Sequence, residues 1–341
     1  MEEQYRMLST KISFLVTYYN QEKYVDDSLQ SIFELNIPCE YEVLVGDDGS
    51  TDGTVDRVKE WQKKFGDRLQ VFRMDRDADK ERDSVIRVSN LRRFLLKKST
   101  GNYFCVLDGD DYYCDKDFVA DALQIYKDNA NLSVVMFNYQ MVYTDRTETA
   151  KPLPIDGQID NREFIRGYYK PAGSCVLKKF SEDIFFSRIS KALYYDDADI
   201  LIYNLSFGEL WNINRVVYSY RQHGDSIWNS MNRAQKGILN MLGADNEAFL
   251  APIFSDDIYY KYGTDILYAY FRRFNPEKRI GKEFYKKYLN LCKTDFLSKT
   301  LLAYQESTEK ERAKLEEVIM MLKEQDPNLY SRIEQEKSVA E

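Results

Sequence analysis

The chain has 341 residues, a formal net charge of -8, 27 tyrosines, five cysteines and one histidine, His223. A multi-histidine zinc site is therefore impossible, and a Ser-His or Cys-His hydrolytic dyad would have to use His223. Cys39, Cys105, Cys114, Cys175 and Cys292 are odd in number and contain no C-x-x-C, which argues against a disulfide framework or thiolate cluster and for a reducing compartment. The acidic balance argues against a general nucleic-acid binder, so the chemistry falls to carboxylates.

With 44% hydrophobic and 30% charged residues, the composition is that of a globular protein of roughly two domains. No apolar run approaches the ~20 residues that span a bilayer, and the start, MEEQYRMLSTK, lacks a signal-peptide pattern. The expectation is a soluble, cytoplasmic chain.

In chain order, residues 12–16 form a short apolar run, and Val25, Leu29, Ile32 and Phe33 then share one helical face. A second run, 41–45, ends in the turn-rich stretch Asp47 to Gly53. Val55, Val58, Trp61 and Phe65 follow at helical spacing, and 69–72 reads as a strand. Val85, Val88, Leu91 and Leu95 form another helical stripe, and the strand 103–107 runs into Asp108-Gly109-Asp110-Asp111. Strands alternating with helical stripes predict an α/β sheet with parallel pairing and helices on both faces. Ligands of such sheets bind beyond the carboxyl ends of the strands, where both aspartate turns fall.

Further on, 132–143 is a long strand, 144–160 with Pro152, Pro154 and Gly157 reads as a loop, and 175–177 and 210–221 are strands. Helical patterns lie around 181–189 and 198–206, and from about Ser230 the signal changes to long helices.

Adjacent carboxylates repel each other unless a cation or hydrogen-bond donors offset them. Asp108 and Asp110 project toward one space, and hard oxygen ligands suit Mg²⁺ or Mn²⁺. An isolated D-x-D reads equally as a solvated turn. The 47–54 turn has the Asp48, Ser50, Asp52 spacing of a calcium loop, but Lys59 stands where that loop needs a glutamate. There is no G-x-G-x-x-G and no Walker sequence.

Five motifs in order carry a more specific signal: FLVTYYNQEKY at 14–24, VLVGDDGSTDGT at 43–54, YFCVLDGDD at 103–111, YDDADI at 195–200 and YRQHGDS at 220–226. Together they resemble the family 2 glycosyltransferases, inverting enzymes of the GT-A fold. The resemblance covers about residues 10–230. It implies a Rossmann-like, mostly parallel central sheet with helices on both faces, then a helical C-terminal region. The domains expected are a catalytic domain at 1–230, with a nucleotide-sugar half (10–111) and an acceptor half (112–230), and a helical extension at 231–341.

The same resemblance implies a nucleotide diphosphate sugar donor, UDP-linked, and a glycan or lipid-linked glycan acceptor in cell-surface polysaccharide synthesis. Thr17, Tyr19 and Asn20 would line the nucleotide, with Tyr19 against the base and Asp47 or Asp48 hydrogen-bonded to it. Asp108, Gly109 and Asp110 would meet the diphosphate. Asp110, Asp108 and His223 would hold Mn²⁺ or Mg²⁺, and His223 would sit on a loop that closes over the donor. Asp197 would be the general base, with Asp196 and Asp199 open as alternatives on register. Asp196, Gly173 and Ser174 are acceptor-side candidates, a strand-entry turn being the other reading of the glycine and serine. Thr17 stands where the family commonly has proline, and Arg87-Val88-Ser89-Asn90 blurs a basic-Asn pair, leaving Arg87 a weak diphosphate candidate.

The tail is basic and amphipathic over 271–293, where Arg272, Arg273, Lys278, Arg279, Lys282, Lys286, Lys287 and Lys293 face only Glu277 and Glu283. Three readings stay open: a docked helix with solvated lysines, a peripheral contact with the inner face of a membrane, and a subunit contact. Charged 306–324 is a second candidate for homo-oligomer contact. Two rivals to the transferase also stay open, a nucleotidyltransferase and a non-catalytic glycan-binding or scaffold protein. The 17–23 loop has no glycine for a nucleoside triphosphate, which speaks against the first.

Overall fold

A computed structural model describes residues 10–74, 84–180, 197–224 and 233–272, with isolated positions between 320 and 331. Packing divides the chain into two compact units, Met1–Phe164 with Tyr168–Asn229, and Ile165–Gly167 with Ser230–Glu341.

In the first unit, β1 (Lys11–Tyr18) leads to α1 (Val25–Phe33), β2 (Glu40–Asp47), α2 (Thr54–Phe65), β3 (Leu69–Arg73), α3 (Ser84–Lys98) and β4 (Tyr103–Asp108). Strands β1, β2 and β4 are buried almost end to end, as strands covered on both faces must be. Val25, Leu29 and Ile32 sit on the buried face of α1, one turn apart. Phe14, Val16, Val43, Val45, Cys105 and Leu107 point to that face, while α3 packs Leu91 and Leu95 on the other side of the sheet.

The chain continues through β5 (Tyr112–Tyr113), α4 (Phe118–Asp128), β6 (Leu132–Val142), β7 (Thr147–Thr149), β8 (Gly157–Ile159), α5 (Asn161–Gly167), β9 (Cys175–Lys178), α6 (Asp197–Leu205) and β10 (Glu209–Arg221). The strand order is β3-β2-β1-β4-β9-β6-β10-β5, with β7 on β6 and β8 on β10. Pairing is parallel from β3 to β4 and again between β6 and β10, but β9 runs antiparallel to both β4 and β6.

The sequence reading differs from this in places. The stretch 144–160 is not all loop, since β7 and β8 are three-residue edge strands too short to show alternation. Helix α4 buries Phe118, Val119, Ala122 and Tyr126, a stripe the reading passed over. The helical pattern at 181–189 lies outside the described residues.

Register places the site. Tyr18 pairs with Asp47 across β1 and β2, and Thr17 pairs with Asp108 across β1 and β4. Both aspartate turns therefore leave the same edge of the sheet, on either side of the loop after β1.

In the second unit, α7 (Arg233–Leu250) and α8 (Ser255–Arg272) pack together, joined by a short turn at Pro252–Phe254. Arg166 forms an ion pair with the buried Asp257. Among the described residues no helix is long and apolar enough to cross a membrane. Beyond Arg272, the basic segment lies outside the described residues, as does most of 306–324.

Candidate active site

The end of β1 links the two turns. The Tyr18 carbonyl accepts from Asp48 N–H and the Thr17 carbonyl from Gly109 N–H, each at 2.9 Å. Asn20 adopts a left-handed φ of 51°, which asparagine tolerates better than most residues. Its N–H donates to Ser50 Oγ at 2.9 Å and its Oδ1 accepts from Thr51 N–H at 2.8 Å. The neighbouring Tyr19 is 38% exposed.

In the first turn, Asp47 Oδ2 accepts the N–H groups of Gly49 and Ser50 at 3.1 and 3.0 Å, the bonds of an Asx turn. Its Oδ1 is buried with no hydrogen-bond partner among the described residues. Asp48 is also buried and pairs with Arg87 of α3, whose Nε lies 2.9 and 3.1 Å from its two oxygens. Arg87 is therefore the counter-ion of Asp48, a role the sequence reading did not give it.

In the second turn, the three carboxylates take different partners. Asp108 Oδ1 accepts from Arg92 Nη2 at 2.6 Å and from Thr17 Oγ1 at 3.2 Å. Asp110 Oδ2 lies 2.8 Å from His223 Nε2. Asp111 has no exposed surface and bonds to the Tyr218 hydroxyl and to Arg221 N–H. Burial, reinforced by repulsion from Asp110 and Asp108, pushes the Asp111 carboxyl well above the usual carboxylate range. Gly109 is obligatory, because a Cβ there would come within 2.1 Å of the Tyr18 ring. Arg221 Nη1 donates to the Asp110 carbonyl at 2.6 Å, and its Nη2 to Asp27 at 2.5 Å.

Asp197 opens α6, half-buried, and Tyr169 donates to its Oδ2 at 3.4 Å. Asp199 is only 1% exposed, so of these two carboxylates Asp197 is the one open to solvent. Asp196 lies outside the described residues. The half-buried phenol of Tyr220 is pushed up first by burial, then by Asp111, Asp197, Asp108 and Asp110 in turn. One hydroxyl thus feels the D-x-D turn and Asp197 together. Gly173 and Ser174 are buried in the turn before β9, with Gly173 against the Tyr218 ring and the Ser174 hydroxyl bonded to the Pro171 carbonyl. Neither presents a polar side chain to solvent.

The fit to a divalent cation is partial. Asp110 and His223 offer an oxygen and an imidazole nitrogen at hydrogen-bond spacing. The second oxygen of Asp108 has no hydrogen bond among the described residues, while the first is engaged by Arg92. No group of three or more His, Cys, Asp or Glu arranged to hold a metal occurs among the described residues. The sequence reading missed Arg92, Tyr218 and Arg221. Of these only Arg221 carried a signal, since it precedes the histidine in YRQHGDS.

The fold is that of the GT-A glycosyltransferases. A crystal structure of S. aureus TarS 1–349 in complex with UDP-GlcNAc superposes with a TM-score of 0.66 at 18% identity, covering 97% of this chain and 93% of that one. Residues 13–185 match the model for Glycosyl transferase family 2, and the chain belongs to that family. An uncharacterized protein of Mycobacterium bovis is 20% identical over 227 residues, 64% of this chain and 61% of that protein. The poly(ribitol-phosphate) beta-N-acetylglucosaminyltransferase TarS of Staphylococcus aureus is 32% identical over 113 residues, 33% of this chain and 18% of TarS. The chain thus spans about three fifths of the mycobacterial relative's length and a much smaller part of TarS.

Proposed function

We propose that the chain is an inverting, metal-dependent glycosyltransferase. It moves a sugar from a UDP-sugar to a glycan or lipid-linked glycan in cell-surface polysaccharide synthesis. The observation that carries this reading is that both aspartate turns leave one edge of the sheet, with Asp110 of the second beside His223. The buried Asp47 Oδ1, an acceptor lacking a donor, suits the imide N–H of uracil, with Tyr19 at its side. The acceptor class is suggested by the likeness to TarS, a poly(ribitol-phosphate) beta-N-acetylglucosaminyltransferase.

In this reading Asp197 takes the proton of the acceptor hydroxyl as its oxygen bonds to the anomeric carbon. The bond from that carbon to the diphosphate breaks in the same displacement, so the configuration inverts and no covalent intermediate forms. Asp110 and His223, with Asp108 in the same turn, are the residues that would hold Mn²⁺ or Mg²⁺, and an ion there would take up charge on the departing diphosphate.

The test is release of nucleoside diphosphate from a panel of donors, with and without chelator. UDP release should depend on the cation, and Asp197→Asn should lower kcat by about 10²–10⁴-fold while UDP binding is kept. Undiminished turnover in Asp197→Asn would remove the base assignment, and full activity with chelator the metal. Release of pyrophosphate from a nucleoside triphosphate would instead establish a nucleotidyltransferase. No release from any donor would leave a glycan-binding protein.

A further inference from the structure

Asp111 takes no part in the transfer described above, yet it is a carboxylate with no exposed surface, and burial of that kind is costly without dedicated partners. Its partners come from one place. Tyr218 O–H donates to Oδ2 and Arg221 N–H to Oδ1, the latter at 2.7 Å, across separations of 107 and 110 residues. Both donors lie in the last four residues of β10.

The same segment grips the turn again on each side of that carboxylate. Tyr113 and Tyr112 of β5 pair with Tyr218 and Ser219, and Cys114 N–H donates to the Val217 carbonyl at 2.8 Å. Arg221 Nη1 reaches the Asp110 carbonyl at 2.6 Å, and two residues later His223 Nε2 meets Asp110 Oδ2 at 2.8 Å. On its other side the Tyr218 ring closes on Gly173, where a Cβ would come within 2.6 Å.

Pairing with β5 ends at Ser219, short of the histidine. On this side the bond from Arg221 N–H to Asp111 continues the register toward His223, while on the other β10 stays paired with β6 as far as Arg221 and Gln222 N–H donates to the Val142 carbonyl at 2.9 Å.

We propose that Asp111 is a positioning residue: by tying Tyr218 and Arg221 to the D-x-D turn, it sets where His223 meets Asp110. It acts through that contact and does not touch the donor. Its effect on turnover rests on the donor-site reading above, whereas its effect on the histidine does not.

The chain's single histidine makes the test direct. Protein made without a histidine tag gives one imidazole signal by NMR, recorded free of metal and donor in wild type, Asp111→Ala, Asp111→Asn and Tyr218→Phe. The signal should shift and broaden in Asp111→Ala, return part of the way in Asp111→Asn, and move in Tyr218→Phe, which keeps the ring on Gly173. In parallel, kcat/KM for the donor should fall by about 10–100-fold in Asp111→Ala, mostly through KM, with partial rescue by Asp111→Asn. An unchanged imidazole signal in folded Asp111→Ala would overturn the proposal. Should that variant fail to fold by circular dichroism, an unchanged signal in Tyr218→Phe would do the same. A wild-type protein that turns over no donor would sink the donor-site reading and leave the NMR comparison to decide this one.

Discussion

The two aspartate turns look alike in sequence and are held in different ways. The 47–54 turn is closed largely by itself, with Asp47 accepting two N–H groups of its own loop and Asn20 adding two bonds from the neighbouring one. Two arginines reach it from outside, Arg87 pairing with Asp48 and Arg73 of β3 with Asp47 and the Ser50 carbonyl. The 108–111 turn closes from afar, through Tyr218, Arg221 and His223 at the end of β10 and through Arg92 on α3. The D-x-D turn reaches its final shape only when β10 is in place.

This contrast can be broken most severely at the buried ion pair of the first turn. Arg87→Met removes the guanidinium that pairs with the buried Asp48 and should cost about 3–5 kcal/mol of stability in a urea titration. Adding Asp48→Leu should recover most of it, and a loss of a few tenths from Arg87→Met alone would mean that other contacts of Asp48 compensate. In the second turn, Gly109→Ala drives a Cβ into the Tyr18 ring and should cost about 1–3 kcal/mol. Its kcat/KM should fall by more than that loss accounts for, because the turn carrying Asp110 must move. An alanine variant with native turnover would show that the turn can give way.

A third site lies outside both turns. Lys170 is 1% exposed, bonded to Asn138 and without a carboxylate partner among the described residues. Burial pushes its pKa down to about 8 from 10.5. The unfolded chain keeps that proton to higher pH, so stability should rise as pH climbs from about 8 to 10.5. Lys170→Met should stabilise the protein by about 1 kcal/mol at pH 7 and remove that slope. A slope that survives the substitution would assign it to another group.

What the sequence disclosed follows the same division. The strands β1 to β4, the stripes of α1 to α3 and the positions of both turns are local patterns of period 2 or 3.6, readable without knowing what they touch. Asp111, by contrast, looks like the third residue of a run of carboxylates, and only the approach of Tyr218 shows why it is buried. Arg87 fell on a helical stripe with Leu91 and Leu95 and faces the sheet with them, a position whose meaning depends on Asp48 being opposite. The antiparallel setting of β9 was likewise hidden, since four apolar residues carry no sign of direction.

That short strand has a further consequence. In the sheet, the block β3-β2-β1-β4 and the block β6-β10 meet through β9 alone, with two residue pairs on one side and three on the other. The carboxylates of the D-x-D turn leave the first block, while Asp197 opens the helix that precedes the last strand of the second. The four residues of β9 are thus a spacer gauge between the carboxylate that would draw off a proton and those that would receive a leaving group. A one-residue slip along that strand would set the distance between them against the ties that Tyr218, Arg221 and His223 make to the D-x-D turn, without altering either carboxylate.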